Sequence, residues 1–119
     1  MTLPEYIAAN LERPFAWGSH DCVLFAIGWV NLATAVDHLD EFDKWTTERQ
    51  AIRTVKAVGG LQRAYDERFK AVHPNLAQDG AIGLYQRTTG IFSGAHLICP
   101  GIQKLEFIDR SLCLLAWHY

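Results

Sequence analysis

The residue pattern changes at Asp79-Gly80, and this change constrains the possible folds of the chain more than any other feature. Before it, apolar residues recur at the spacing of amphipathic or buried helices, and after it short apolar runs alternate with turn residues. Helices followed by strands joined through short turns indicate an α+β fold with a small antiparallel meander. No linker or repeat interrupts the pattern, so residues 1–119 are expected to form a single domain.

Start and stop signals delimit the predicted elements. Thr2 and Glu5 have the spacing of a capping box, Thr47 is suited to cap a later helix, and Gly59-Gly60 is suited to end it. The predicted helices run from Thr2 to near Glu12, from Cys22 to Ala33, from Thr47 to Val58 and from Leu61 to Phe69. The predicted strands are Ala81–Gln86, Ala95–Cys99, Leu105–Ile108 and Leu112–Trp117, with turns that include Gly90 and Gly94.

Charge and apolar patterning exclude several function classes. Eleven Lys and Arg against thirteen Asp and Glu give a net charge of −2, whereas nucleic-acid binding normally requires a basic surplus. The longest apolar run, Cys22 to Val36, is shorter than the ~20 residues of a transmembrane helix, and no signal-peptide pattern opens the chain. We therefore expect no nucleic acid as a partner and no membrane span.

Three cysteines form an odd set that argues against a disulfide framework and for reduced thiols. Cys22 stands out because Asp21, a suitable N-cap, precedes it at the start of a predicted buried helix. The orphan amides and the macrodipole of a helix N-terminus favour a thiolate, the nucleophilic form of cysteine. The alternative is that Cys22 is a small buried hydrophobe, which is the commoner state of cysteine.

The segment from Pro14 to Cys22 resembles the nucleophile segment of the NlpC-type cell-wall peptidases. That segment consists of an aromatic residue, one further residue, Trp-Gly, a short spacer and Asp-Cys. In this chain Phe15 is the aromatic residue, Trp17-Gly18 is the Trp-Gly pair and Asp21-Cys22 is the Asp-Cys pair. The chain is also similar to a small family encoded in phage tail modules and prophages. That family shares the Trp-Gly-x-x-Asp-Cys start, a Gly-Gly after a middle helix and a C-terminal Ala-Trp, here Gly59-Gly60 and Ala116-Trp117. The resemblance implies a papain-like NlpC-type fold.

The resemblance also implies a set of site residues. Cys22 would be the nucleophile, His96 the general base and Asp109 the residue that orients the imidazole. Trp17, Gly18 and His20 would lie on the substrate side, with the His20 side chain as a donor to the oxyanion. From the residues alone, His96 is equally a structural strand residue and Asp109 a turn-initiating one.

The implied function is a phage tail-associated thiol hydrolase that cleaves peptidoglycan peptide bonds. Its implied partners are other phage tail proteins and the peptidoglycan peptide, and its location is the virion tail, assembled in the bacterial host cytoplasm. The alternative is a catalytically inactive structural component of the tail tip or tail assembly. Phe15, which replaces a tyrosine of the peptidases, and the bulky Val23 favour a weakened site.

No cofactor or metal is expected, since the chain lacks Cys-x-x-Cys and His-x-x-x-His pairs. Aromatic residues in the acidic segment and near the C-terminus could belong to an interface or to the core. Phe42 and Trp45, in the acidic segment Asp37 to Thr46, belong either to an interface with a partner or to the core. Trp117 is expected to close the sheet from inside.

Overall fold

The computed structural model describes residues 1–119 and consists of four α-helices and a six-stranded antiparallel sheet, so the predicted α+β class is confirmed. The helices are α1 (Leu3–Asn10), α2 (Cys22–Thr34), α3 (Glu48–Ala57) and α4 (Leu61–Asp66). The strands are β1 (Lys70–Val72), β2 (Ile82–Tyr85), β3 (Thr88–Ser93), β4 (His96–Pro100), β5 (Leu105–Asp109) and β6 (Leu115–His118). Short 3₁₀ helices span Pro74–Leu76 and Arg110–Leu112.

The predicted helix starts are confirmed by their caps. The Thr2 hydroxyl accepts from the Glu5 amide at 3.3 Å, and the Glu5 carboxylate accepts from the Thr2 amide at 3.0 Å, which completes the capping box. The Thr47 hydroxyl accepts from the Gln50 amide at 3.2 Å. Two predicted ends are too late: α1 stops at Asn10 rather than near Glu12, and α4 stops at Asp66 rather than at Phe69.

The sheet is not a simple meander, which corrects the prediction. Its strand order is β1-β6-β2-β3-β4-β5, so β2 to β5 form a meander while β6 returns to lie between β1 and β2. The return buries Trp117 completely. The Trp117 ring stacks on Tyr65 at 4.9 Å between centroids, and its Nε1 donates to Asp66 at 2.8 Å. The expectation that Trp117 closes the sheet is thus confirmed.

Strand β3 lies where a turn was predicted, at Gly90. Gly90 is central in β3 and pairs with Gly83 of β2. A Cβ atom on Gly90 would lie 2.2 Å from the carbonyl oxygen of Ile98. The glycine therefore permits a close approach of two backbones inside the sheet, which is one of the known reasons for a glycine within a strand.

Residues of α1, α2 and α4 form the main apolar cluster with one face of the sheet, where α2 contacts β3 and β4, and α3 packs on α4. The opposite face has a smaller apolar cluster around Phe92 and Leu97. Arg110 covers it: the guanidinium lies 4.4 Å from the Phe92 ring centroid and donates to the carbonyl oxygens of Gly94, Pro74 and Ala77. None of the helices has the length and apolarity needed to cross a membrane.

Candidate functional site

Cys22 is the first residue of α2 and lines a large apolar cavity, called the Cys22 cavity below. The cavity has a volume of about 670 Å³, and 16 of its 24 lining residues are hydrophobic. Its walls come from the start of α2, the apolar faces of α3 and α4, the acidic segment and the β2–β3 hairpin. The thiol is half-buried, so it is reachable from this cavity while Cys99 and Cys113 are buried.

Asp21 fixes the position of Cys22. Its side chain is 1% exposed and accepts three hydrogen bonds: from the Leu24 amide at 2.9 Å, the Gly18 amide at 3.0 Å and Trp45 Nε1 at 2.7 Å. The carboxylate thus caps α2 and ties two separate loops to it. The interpretation of Asp21 as a helix cap is confirmed, and the buried Trp45 belongs to the core.

Gly18 has an equally structural role. Its φ is +81°, and a Cβ atom there would lie 2.2 Å from the carbonyl oxygen of Trp45 and 2.9 Å from the Thr46 Cα. Both atoms are backbone, so only glycine allows the loop and the segment 45–46 to touch. Of the residues predicted on the substrate side, Trp17 lines the Cys22 cavity, whereas Gly18 and His20 do not.

Two residues that sequence reasoning missed hold the first turn of α2 against the sheet. The Thr89 hydroxyl donates to the carbonyl oxygen of Cys22 at 3.1 Å and accepts from the Tyr65 hydroxyl at 3.2 Å. Both side chains are buried, and burial raises the pKa of Tyr65. The signal for Thr89 was the run of strand-favouring residues Thr88, Thr89, Ile91 and Phe92, which is typical of a buried strand.

His96 and Asp109 are brought together, but not with Cys22. His96 pairs with Ser93 on one side and with Asp109 on the other. Thr89, which contacts Cys22, lies four residues before Ser93 on β3, a distance of about 13 Å at ~3.3 Å per residue. The exposed His96 ring packs edge-on against Phe107 with centroids 5.9 Å apart, outside the Cys22 cavity.

The carboxylate of Asp109 caps the second 3₁₀ helix. It accepts from the Ser111 amide at 2.9 Å and from the Ser111 hydroxyl at 2.7 Å. These hydrogen bonds hold the pKa of the Asp109 carboxyl below its usual value, with a smaller contribution from His96. The local role of Asp109 is therefore the start of a turn.

The remaining histidines have separate environments. His38 lines the Cys22 cavity, but its Nε2 lies 3.1 Å from the Thr34 hydroxyl and its ring packs on Phe69. His73 and His118 each accept a hydrogen bond from a backbone amide. The structure contains no group of three or more His, Cys, Asp or Glu side chains that could hold a metal ion.

His20 is buried, with 2% of its surface exposed, and its ring lies edge-on to Phe25 at 5.8 Å. Its Nε2 has no hydrogen-bond partner. Burial, with a smaller contribution from the charge of Arg13, lowers the pKa of His20. His20 is accordingly a neutral core residue in the fold, not a donor exposed to the Cys22 cavity.

Alkylation should distinguish the three thiols. We expect iodoacetamide at neutral pH to modify Cys22 well before the other two, because burial raises the pKa of Cys99 to about 12 and also raises the pKa of Cys113. Mass spectrometry of peptides over a time course measures the three rates. A Cys22→Ser variant should take up label only after denaturation. Equal alkylation rates of the three thiols in the native wild type would contradict the greater accessibility of Cys22.

The lowered pKa of His20 predicts that stability falls as the pH drops below about 6.5, the usual pKa of histidine in an unfolded chain. Above that pH the imidazole is neutral in both states, and below it the unfolded chain takes up the proton first. Thermal melts between pH 7.5 and 5.5 measure the loss. A His20→Gln variant should lose less of its melting temperature over this range than the wild type, and an identical slope would show that His20 is not responsible.

Comparison with known proteins gives one family. The family model described as a domain of unknown function, DUF6950, matches residues 1–119. No curated protein and no solved structure matches the chain significantly.

Proposed function

The chain belongs to the DUF6950 family, and we propose that it is a phage tail-associated protein built on an NlpC-type, papain-like scaffold. In this proposal it is a structural component of the tail tip or tail assembly, and it acts by binding a neighbouring protein rather than by hydrolysis. Its location is the virion tail, and it joins other tail proteins in the host cytoplasm.

The order of elements supports the proposed scaffold. A buried helix that begins with Cys22 packs on an antiparallel sheet that follows it in the chain, which is the order that the resemblance implies. The resemblance of Trp17-Gly18 and Asp21-Cys22, together with Gly59-Gly60 and Ala116-Trp117, supports the assignment to phage tails.

The separation of Cys22 from His96 is the observation that favours a binding function over a hydrolytic one. A thiol hydrolase needs a base within hydrogen-bond reach of its sulfur, or close enough to tighten when substrate binds. His96 lies about 13 Å farther along the sheet than the Thr89 contact to Cys22. The neighbouring carboxylate of Asp21 already accepts three hydrogen bonds. His38, the one histidine that lines the Cys22 cavity, has its Nε2 3.1 Å from the Thr34 hydroxyl and its ring against Phe69. The cavity thus offers apolar contacts and one thiol, with neither His96 nor a free Asp21 carboxylate beside the sulfur.

A thiol hydrolase acting on peptidoglycan peptides is the second candidate, and one observation favours it. Cys22 is half-buried at the start of a 13-residue helix and faces a cavity large enough for a ligand. The orphan amides at that helix start are suited to stabilise an anion.

The two candidates differ in their dependence on the sulfur. We expect purified protein to release no peptide from peptidoglycan, and virions carrying Cys22→Ala to assemble and infect like the wild type. Ile52→Lys, which places a charge on the exposed apolar face of α3 at the Cys22 cavity, should reduce incorporation into tails. Peptidoglycan cleavage that disappears in Cys22→Ala would overturn the proposal in favour of the hydrolase.

A further inference from the structure

The apolar face of α3 has no sufficient partner within the chain. Ala51 is the only buried residue of this helix, and Ile52 is 44% exposed, although Ile52, Val55 and Val58 all line the Cys22 cavity. Amphipathic helices in folded proteins derive most of their stability from the burial of such a face. The face of α3 therefore presents apolar surface at the mouth of a cavity that is already apolar.

The walls of the Cys22 cavity determine what kind of backbone can enter it. Only the β2–β3 hairpin contributes strand residues to these walls, and both hairpin strands already have a neighbour on each side in the order β6-β2-β3-β4. No free strand edge therefore faces the cavity. An extended peptide would bury unpaired backbone amides and carbonyls there, which is strongly unfavourable, whereas an α-helix satisfies its own.

Among the residues that line the Cys22 cavity and whose charge has no partner in the chain, two are positive and one is negative. The positive residues are Lys56 and Arg87, which form no ion pair and no side-chain hydrogen bond. The negative residue is Glu48, the only acidic lining residue that also has no such partner. Arg68 is occupied by Glu41 and Glu67. The chain as a whole carries a net charge of −2, so the two free cations are a local exception. They are suited to an acidic partner.

We infer that the Cys22 cavity is the docking site for an amphipathic α-helix of a partner protein. The helix presents apolar side chains at positions i, i+3 or i+4, and i+7 to the cavity, and acidic residues on its flanks to Lys56 and Arg87. The volume of about 670 Å³ lies within the range of formed ligand sites. This inference deepens the proposed function, on which it rests, by stating the chemistry of the tail partner.

The test uses a synthetic helical peptide with leucines at those positions and glutamates on the flanks, and Cys22 as the reporter. The peptide should bind saturably in calorimetry and should protect Cys22 from iodoacetamide. A peptide with lysines in place of the glutamates should bind roughly five- to tenfold more weakly, as expected for the loss of two exposed ion pairs. In the Arg87→Glu variant the glutamate peptide and the lysine peptide should differ less in affinity than they do for the wild type.

A matched pair of variants locates the binding surface. Ile52→Lys places a charge at the Cys22 cavity, whereas Leu32→Lys places it on α2 outside the cavity at a residue that is 55% exposed. Both sites are exposed, so both proteins should fold, which circular dichroism checks. We expect Ile52→Lys to abolish binding and protection while Leu32→Lys retains both.

Three results would overturn the inference: no binding of the glutamate peptide, equal binding by the two variants, or protection of Cys22 by decanoate but not by the peptide. The last would make the cavity a site for acyl chains. The assay uses neither virions nor peptidoglycan. A failure of peptide binding, with Cys22→Ala virions still infectious, would therefore reject the helix-docking site and leave the proposed function standing.

Discussion

Asp21→Asn is expected to lower the free energy of unfolding by about 3–5 kcal/mol, because a buried donor left without its acceptor costs ~1–3 kcal/mol. The asparagine amide nitrogen would have to face either the Leu24 amide or the Gly18 amide and Trp45 Nε1, which are all donors. At ~4 °C per kcal/mol, the melting temperature should fall by roughly 10–20 °C. Urea denaturation followed by tryptophan fluorescence measures the change.

Asp109→Asn is the matched control, since Asp109 also caps a helical turn but is exposed. It should cost about 1 kcal/mol or less. Trp45→Phe removes one of the three donors to Asp21 and keeps most of the buried ring, so its effect should fall between the two. Equal denaturation midpoints for Asp21→Asn and wild type would contradict the role assigned to Asp21.

Gly18→Ala should destabilise the fold by about 3–4 kcal/mol. Its Cβ atom would overlap the Trp45 carbonyl oxygen at 2.2 Å, and a left-handed backbone adds strain, with each effect contributing ~1–3 kcal/mol. The segment 45–46 must move to relieve the overlap, which draws Trp45 away from Asp21. Thermal and urea unfolding measure the loss.

Gly94→Ala separates the two causes. Gly94 also has a positive φ, +57°, but a Cβ atom there meets nothing within 4 Å. It should therefore show only the backbone strain, about 1–2 kcal/mol. If Gly18→Ala and Gly94→Ala had equal effects, the contact between Gly18 and segment 45–46 would contribute nothing to stability, and the close approach would not explain the glycine of the Trp-Gly pair.

Gly18 and Asp21 lie in the stretch that carries the resemblance to the peptidases. Each has a structural function that needs no catalysis, since one permits a backbone contact and the other accepts three hydrogen bonds. Neither function requires a thiol at position 22. Stability measurements on Gly18 and Asp21, and chemical measurements on Cys22, therefore test different properties of one motif.

The helix starts were predictable because capping is local. The partners of Thr2, Asp21 and Thr47 lie three residues away in the chain, so the residue types alone define them. The second role of Asp21 was not predictable, because Trp45 is 24 residues distant and reaches it only in the folded protein.

Gly90 shows why the order and extent of the strands could not be predicted from the sequence. A glycine after two threonines is compatible with a turn or with a strand, and the contact that decides is made by Ile98 on the neighbouring strand. The insertion of β6 between β1 and β2 depends likewise on pairing between distant segments. Local propensity contains no information on either.

The sequence by itself determined the α+β class, the helix starts and the position of Cys22 at the first residue of a buried helix, because each depends on periodicity or on neighbours within a few residues. Only the tertiary structure decided that His96 pairs with Asp109 away from Cys22, and that five separate segments line an open apolar cavity beside the thiol. The physical reason is that strand register and helix packing, which join residues far apart in the chain, set the distance between side chains.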